Sequence, residues 1–165
     1  MIEAIEGSAY AVWVRESPSF WAYTWILSLH AMGLAIVVGI NSMVALRLLG
    51  YVPDIKINTL RKLVPWMYLG FTVNAFSGLS LLAANASNDL HNWMFFVKLS
   101  MIALAMVNLE LTKAKVFNDP AVVNNTGVPA GVKRFAIASL VFWSLAIVAG
   151  RLTEYPAFVQ AWFGF

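Results

Sequence analysis

Four long apolar runs constrain the fold of this chain more than any other feature. They cover residues 18–50, 59–85, 89–117 and 132–155. A helix needs about 20 mostly apolar residues to cross the hydrocarbon core of a bilayer, and each run reaches that length. The chain is 61% hydrophobic and 12% charged, whereas soluble domains are roughly 45–50% apolar and about 25% charged. We therefore predict an all-α integral membrane four-helix bundle, with residues 1–165 forming a single membrane domain.

The two terminal segments are too short to span a membrane. Residues 1–16 predict a short interfacial helix with Ile2, Ile5, Trp13 and Val14 on its apolar side, and residues 156–165 predict an aromatic interfacial tail. The N-terminus has neither a positively charged n-region nor a small-residue cleavage site before the first run. We therefore expect no removable signal peptide.

The distribution of basic residues predicts the orientation of the bundle. Two connections carry most of them: Arg47, Lys56, Arg61 and Lys62 in the first, and Lys113, Lys115, Lys133 and Arg134 in the third. Because cytoplasmic loops are enriched in Lys and Arg, both termini should face the outer, periplasmic side. An aromatic belt is predicted on that side, formed by Trp13, Phe20, Trp21, Tyr23, Trp25 and Trp93. The expected location is the bacterial inner membrane, crossed several times.

Composition also limits the chemistry that the chain can perform. Cysteine is absent, so disulfides and thiolate metal sites are excluded. The net charge of +3 comes from basic loops between apolar runs, so the lipid bilayer is the expected partner and nucleic acid is not. There is no paired carboxylate, no Ser/His/Asp set and no phosphate-binding glycine loop. Any redox activity would have to be carried by a cofactor.

Polar side chains inside the apolar runs are the candidate functional residues, because such groups are costly in lipid and tend to face the bundle interior. They are His30, Lys98, Arg151 and the amides Asn41, Asn74 and Asn108. At the rise of an α-helix, His30 lies roughly 18 Å from Pro18 and Lys98 roughly 13 Å from Asp89. Arg151 lies toward the same outer layer. One imidazole and two cations are therefore predicted to converge in the outer half of the bundle.

A buried imidazole is either a hydrogen-bonding group between helices or a ligand of a metal or haem. Lys98 and Arg151 could extend to the interface, but only Glu154 lies near them in sequence as a counter-charge. Unpaired buried cations are disfavoured, and an anionic cofactor would resolve that imbalance. Haem b meets this need, since its iron takes an imidazole and its propionates take Lys or Arg. His30 is then the axial iron ligand, with Lys98 and Arg151 completing the cofactor-binding set; the alternative is no cofactor.

The sixth haem ligand and the choice of metal stay open. His91 lies near the outer surface, and roughly 12 Å of depth separates it from His30. Four methionines in the runs are further candidates: Met32, Met67, Met94 and Met101. Methionine and histidine are also ligands of Cu(I), although no Met-x-x-Met or His-x-Met cluster is present at the outer loop.

Several strings of the sequence resemble known membrane families. Leu29 to Leu34 and Leu46 to Gly50 in the first run, Trp93 to Lys98 followed by Asn108, and Gly150 to Leu152 before Tyr155 carry the resemblance. They look like an uncharacterised family of small four-helix bacterial inner-membrane proteins, over most of residues 20–155. More distantly, they are similar to the HemJ-type protoporphyrinogen oxidases and the CopD-type copper proteins. The HemJ-type resemblance implies that His30 is a haem ligand and Lys98 its supporting cation.

Three hypotheses about function follow. In the first, the chain is a b-type haem protein that transfers electrons between the quinone pool and an outer-side partner, or senses a small ligand. In the second, it is an accessory or structural subunit of a homo-oligomer or a larger membrane complex, and its buried polar groups only join helices. In the third, it is a small transporter or channel in which Asn41, Asn74, His30 and Lys98 face water.

Overall fold

The structure is a computed structural model that describes residues 2–123 and 130–163. In this part of the chain it contains ten α-helices and no β-strand, which confirms the predicted all-α class. The helices are α1 (Ile2–Glu6), α2 (Ala9–Glu16), α3 (Tyr23–Leu49), α4 (Ile57–Arg61), α5 (Val64–Ala84), α6 (Ala86–His91), α7 (Trp93–Thr112), α8 (Pro120–Val123), α9 (Lys133–Leu152) and α10 (Pro156–Phe163). A π-helical turn (Lys113–Phe117) extends α7, and a 3₁₀ turn (Ala130–Val132) precedes α9.

Four helical segments are long and apolar enough to cross a membrane. They are Tyr23–Leu49, Ile57–Ala84, Trp93–Phe117 and Lys133–Leu152. Their positions agree with the four apolar runs and make this a multi-pass membrane protein. Because the segments alternate in direction, the N-terminal helices α1 and α2 and the C-terminal helix α10 lie at one end of the bundle, which we call the termini end. Residues 50–56, 113–123 and 130–132 lie at the other, which we call the loop end.

The first membrane helix begins later than the sequence predicts, at Tyr23 instead of near Pro18. Two serine hydroxyls explain the delay: Ser17 Oγ accepts a hydrogen bond from the backbone N–H of Ser19, and Ser19 Oγ accepts one from Trp21. Such local side-chain bonds offer the backbone an alternative to the helix. The left-handed Gly50, with φ of 96°, ends α3 as expected of a C-terminal glycine.

The second and third predicted spans are each divided by a break. Lys62 and Leu63 separate α4 from α5. In the third span, α6 ends at His91, and the Asn92 side chain accepts a hydrogen bond from the Met94 N–H, which starts a new helix at Trp93. Asp89 therefore lies on a separate short helix, not at the start of the third membrane helix as predicted.

Helices α3 and α9 form the centre of the bundle. They pack against each other, α5 packs along α3, and α7 packs along α9. Helices α5 and α7 are neighbours that do not pack closely along each other, which leaves a gap between them. At the loop end the gap between them is closed by Tyr68, which donates a hydrogen bond to Glu110, while Lys113 donates to both. The same gap at the termini end holds the candidate site.

The predicted interfacial helix at the N-terminus is two short helices, because the chain breaks at Gly7 and Ser8 between α1 and α2. Ala11 and Val14 of α2 are fully buried, whereas Ile5 and Trp13 remain 44% and 43% exposed. The predicted apolar side therefore includes one buried residue, Val14, one partly buried residue, Ile2, and two exposed residues, Ile5 and Trp13.

The C-terminal tail from Pro156 onward forms a helix, α10. The predicted polar loop between α8 and α9 falls largely on residues 124–129, and the last aromatic residue of the tail, Phe165, follows residue 163. These positions lie outside the described residues.

Candidate functional site

A cavity of about 520 Å³ lies between α5 and α7 at the termini end of the bundle. Its volume is within the range of small-molecule sites, about 300–1,000 Å³. All three predicted site residues, His30, Lys98 and Arg151, line it. The fold therefore brings together the residues that the sequence selected, although they come from three different helices.

The walls of the cavity are mostly apolar. Leu27, Ala31 and Leu34 of α3, Leu81 and Leu82 of α5, Phe95 and Ile102 of α7, and Ala146 and Ile147 of α9 contribute to them. Eight polar side chains also line it: Tyr23, His30, Asn74, Asp89, Lys98, Arg151, Thr153 and Glu154. A mostly apolar wall with placed polar groups is typical of sites that orient a ligand.

His30 is held by hydrogen bonds from two turns of α5. Its Nδ1 lies 2.9 Å from the backbone carbonyl oxygen of Asn74 and 3.2 Å from Ser77 Oγ. The Asn74 side chain in turn donates to the backbone carbonyl of His30, over 2.8 Å. A carbonyl accepts only, so Nδ1 carries the proton and Nε2 keeps a lone pair. Nε2 has one weak contact, 3.5 Å to Asn74 Nδ2.

Glycines on both helices allow α3 and α5 to approach closely enough for these bonds. A Cβ atom at Gly78 would lie 3.0 Å from His30 Cε1, so the imidazole occupies the space that a side chain would fill. One turn further along α3, a Cβ at Gly33 would lie 2.7 Å from the Gly70 carbonyl oxygen. Close approach through small residues is common between membrane helices.

Lys98 and Arg151 lie on the α7 and α9 sides of the cavity. The Lys98 side chain runs over Gly150, where a Cβ would be 3.4 Å from Lys98 Cδ, and its Nζ lies 6.0 Å from the centre of the Phe95 ring. Arg151 is exposed; its Nη2 donates to the Tyr155 hydroxyl over 2.7 Å. Both cations belong to helix segments at the termini end, where long basic side chains can reach the membrane interface.

Two carboxyl groups, Asp89 of α6 and Glu154 after α9, also line the cavity. The sequence alone suggested only Glu154 as a counter-charge for Lys98 and Arg151, and the fold adds Asp89. Burial raises the pKa of Asp89, and the nearby Glu154 carboxylate raises it further, while Lys98 lowers it. The two formal negative charges balance the two cations, so the mouth of the cavity is close to neutral when all four groups are ionised.

A second, more polar pocket of about 490 Å³ adjoins the cavity and shares Asp89, Thr153 and Glu154 with it. His91 lines this second pocket and not the first. Its Nδ1 bonds to the Ser87 carbonyl oxygen, and its side chain is exposed. The two histidines therefore line different pockets.

The floor of the cavity is apolar. Leu34 and Ile102 line the cavity and also pack against a buried cluster of Val37, Ala105 and Trp143. In the described residues, the four methionines considered as ligands, Met32, Met67, Met94 and Met101, are absent from the cavity walls. No group of three or more His, Cys, Asp or Glu side chains that could hold a bare metal ion occurs in that part of the chain.

The residues of the cavity fit haem b better than a bare metal ion. His30 presents an Nε2 lone pair, the walls are apolar, and Lys98 and Arg151 stand at the mouth where propionates would need cations. His30 is the one histidine among the described residues that line the cavity, so a haem there would have a single imidazole ligand.

Sequence reasoning missed three parts of this site. The apolar pattern predicts Asp89 at the start of a membrane helix, and it links neither the Asn74 carbonyl nor Gly78 to His30. The helix break at Asn92, a good N-cap residue, was the available signal for placing Asp89 on a separate helix. Nothing in the sequence pairs Asn74 with His30, which lies 44 residues earlier.

Asn41 and Asn108 belong to other parts of the bundle. Asn41 accepts a hydrogen bond from Ser139, and Asn108 donates one to the backbone carbonyl of Phe135, so both join helices away from the cavity.

Comparison of the chain with known proteins found no matching family model, no similar curated protein and no similar solved structure.

Proposed function

We propose that this chain is a b-type haem-binding membrane protein, with haem in the cavity between α5 and α7 and His30 as the axial ligand of its iron. The observation that carries the proposal is the state of His30. Its Nδ1 donates to the Asn74 carbonyl, which fixes the tautomer and leaves a lone pair on Nε2 with only a weak 3.5 Å contact from the Asn74 side chain, and the imidazole lines the cavity. A histidine that binds a metal through one ring nitrogen characteristically donates a hydrogen bond through the N–H of the other.

The other residues of the cavity would orient the haem. Lys98 and Arg151 provide cations for the two propionates, and the leucine, alanine and isoleucine side chains of the walls exclude water from the macrocycle. When bound, haem supplies one-electron redox chemistry, and the protein contributes binding, orientation and electrostatic field. The chain's role would be electron transfer or haem-based sensing, with a quinone or an outer-side protein as the electron partner.

The proposed orientation places the cavity toward the outer, periplasmic side of a bacterial inner membrane. It is supported by the basic residues of the loop end, among them Lys56, Lys62 and Lys133, since cytoplasmic loops are enriched in Lys and Arg. A cysteine introduced at exposed Asp54, in a chain that has no other cysteine, should be labelled by a membrane-impermeant reagent only after the membrane is opened.

One observation favours the second hypothesis, an accessory or structural subunit. The hydrogen bonds of His30 with the Asn74 carbonyl and Ser77 engage the Nδ1 side of the imidazole within the protein, as expected of a group that only joins helices. The pathway hypothesis has less support, because the apolar cluster around Trp143 lies between the cavity and the polar groups of the loop half.

The visible absorption spectrum tests the proposal, recorded on detergent-purified protein before and after reduction with dithionite. We expect a Soret band with reduced α and β bands, lost or strongly reduced in His30→Ala and retained in the matched control His91→Ala. A featureless spectrum after expression with ample haem would falsify the proposal and leave the structural-subunit hypothesis. A band lost in the His91 variant and kept in the His30 variant would show that His91, not His30, is the ligand.

A further inference from the structure

The mouth of the cavity contains a carboxyl group that the proposed haem site does not use. Asp89 is half-buried on α6 and lines both the cavity and the adjoining polar pocket. It is therefore placed between the proposed ligand site and a pocket that is open to water. Among the described residues, no cation approaches Asp89 closely enough to form a salt bridge.

Charged groups approach Asp89 from several helices. Lys98 comes from α7, Arg151 and Glu154 from α9 and the turn after it, and His91 from α6 itself. On the other side of α6, the Glu6 carboxylate of α1 binds Ser87, and Arg15 of α2 donates to the Ala84 carbonyl. Two of these groups shift the pKa of Asp89 electrostatically: Lys98 lowers it and Glu154 raises it.

The ionisation of Asp89 depends on what occupies the cavity. With the cavity free of anions, Lys98 favours the ionised form of Asp89. When a ligand brings its own carboxylates to Lys98 and Arg151, it competes for the same cations and adds negative charge beside Asp89 and Glu154. Like charges at close range cannot all stay ionised in a poorly solvated site, and both burial and the Glu154 carboxylate favour the protonated form of Asp89.

We propose that Asp89 makes occupation of this cavity by an anionic ligand proton-coupled: its carboxylate takes up a proton from the aqueous pocket when the carboxylates of the ligand reach Lys98 and Arg151. The inference rests on the proposed function only for the identity of the ligand, haem b. Protonation of Asp89 leaves Glu154 as the one charged acid at the mouth. Lys98 and Arg151 can then both pair with the carboxylates of the ligand.

The direction of the pH dependence follows by linkage. If binding takes up a proton, affinity falls as the pH rises, by up to about tenfold per pH unit between the two pKa values that Asp89 has without and with ligand. Asparagine resembles the protonated acid in shape and charge. Asp89→Asn should therefore bind haem more tightly than the wild type at the upper end of this range and with a flatter pH profile.

The first test is haem titration of the detergent-solubilised protein across a series of pH values, followed by the Soret band. Asp89→Asn is compared with Asp54→Asn, a matched change at an exposed aspartate of the loop end. We expect the wild type and Asp54→Asn to lose affinity in parallel as the pH rises, and Asp89→Asn to lose less. Equal slopes in all three proteins would overturn the inference while leaving the haem proposal intact.

The second test needs no haem. The chain has three aspartates, Asp54, Asp89 and Asp119, so isotope-labelled aspartate allows each carboxyl to be followed by infrared spectroscopy during a pH titration. Asp89→Asn and Asp54→Asn assign the bands. Lys98→Met should move the titration of Asp89 to higher pH, and Glu154→Gln should move it to lower pH.

The two tests separate the possible failures. If haem does not bind to any variant, the proposed function fails, and the infrared titration still decides whether Lys98 and Glu154 control Asp89. If the titration of Asp89 is indifferent to both substitutions, the inference is wrong even in a protein that binds haem.

Discussion

The two ends of the bundle are built from the same four membrane helices and differ in how the gap between α5 and α7 is filled. At the loop end, a dense core that includes Leu48, Leu60, Met67 and Phe117 fills it, each of these residues being at most 2% exposed. At the termini end, a cavity of about 520 Å³ takes its place. Membrane helices bury little water-exposed surface when they associate, so van der Waals packing stabilises them instead. A gap of this size loses such contacts and is therefore costly unless it serves a function.

The polar groups of the two ends differ in the same way. At the loop end, Glu110 is engaged with Tyr68 and Lys113. At the termini end, Lys98 and Asp89 face a cavity wide enough to hold a ligand. The polar groups of the loop end therefore join α5 to α7, whereas those of the termini end leave the gap between these two helices open.

The largest expected difference between the ends is the cost of removing a leucine side chain from one helix. Leu48→Ala and Leu27→Ala change the same residue type on α3, but Leu48 is 2% exposed in the core and Leu27 is 43% exposed on the cavity wall. Truncating a buried leucine costs about 2–5 kcal/mol, and at Leu27 the lost contacts are fewer. Thermal unfolding in detergent should show a large drop in Tm for the first and a small one for the second.

Equal losses of stability in the two variants would break the contrast between the ends, since the cavity wall would then be as well packed as the core. Binding of haem before unfolding should protect the Leu27 variant and the wild type alike.

The next effect concerns the close approach of α3 and α5 beside the site. A methyl group at Gly33 would meet two backbone atoms of α5, Asn74 N and the Gly70 carbonyl oxygen, each at 2.7 Å, and backbone cannot move aside as a side chain can. Gly33→Ala should therefore separate the helices at a cost of about 1–3 kcal/mol, typical of overpacking. It should also weaken the hydrogen bonds between His30 and Asn74, visible as a shifted or diminished Soret band.

Gly39→Ala is the matched control on the same helix, because a Cβ at Gly39 would have no neighbouring atom within 4 Å. It should leave Tm and spectrum unchanged or slightly improved, since alanine is the better helix former. Equal losses in both variants would show that helix conformation, not contact with α5, explains the effect.

The smallest effect is expected at the N-terminal helices that cover the termini end. The Glu6 carboxylate accepts hydrogen bonds from the N–H and the hydroxyl of Ser87, both over 2.6 Å, and these bonds lower the pKa of Glu6 below its ordinary value. A lowered pKa stabilises the contact above the unfolded-state pKa, and the stabilisation is lost as the pH falls through the folded-state value. Glu6→Gln should speed amide hydrogen exchange in α1 and α6 at neutral pH.

Glu3→Gln, on an exposed residue of the same helix, is the control. The wild type and the Glu6 variant should become alike in strongly acidic solution. A difference that persisted there would mean that the carboxylate charge is not what holds α1 on α6.

The order of residues along the chain is enough to locate the four apolar spans and the unusual polar residues within them. Long apolar runs are a local property of the sequence, so they reveal the four spans and the presence of His30, Lys98 and Arg151 within them. The predicted helix starts are wrong by a few residues where serine side chains or Asn92 redirect the backbone. Which way those residues face could not be read, because a helix that is apolar on all sides has no preferred face in sequence. Only the tertiary structure pairs His30 with the Asn74 carbonyl and brings Asp89 to the cavity. Those contacts join residues distant in sequence and depend on the rotation of each helix about its own axis, which packing through Gly33, Gly70 and Gly78 sets.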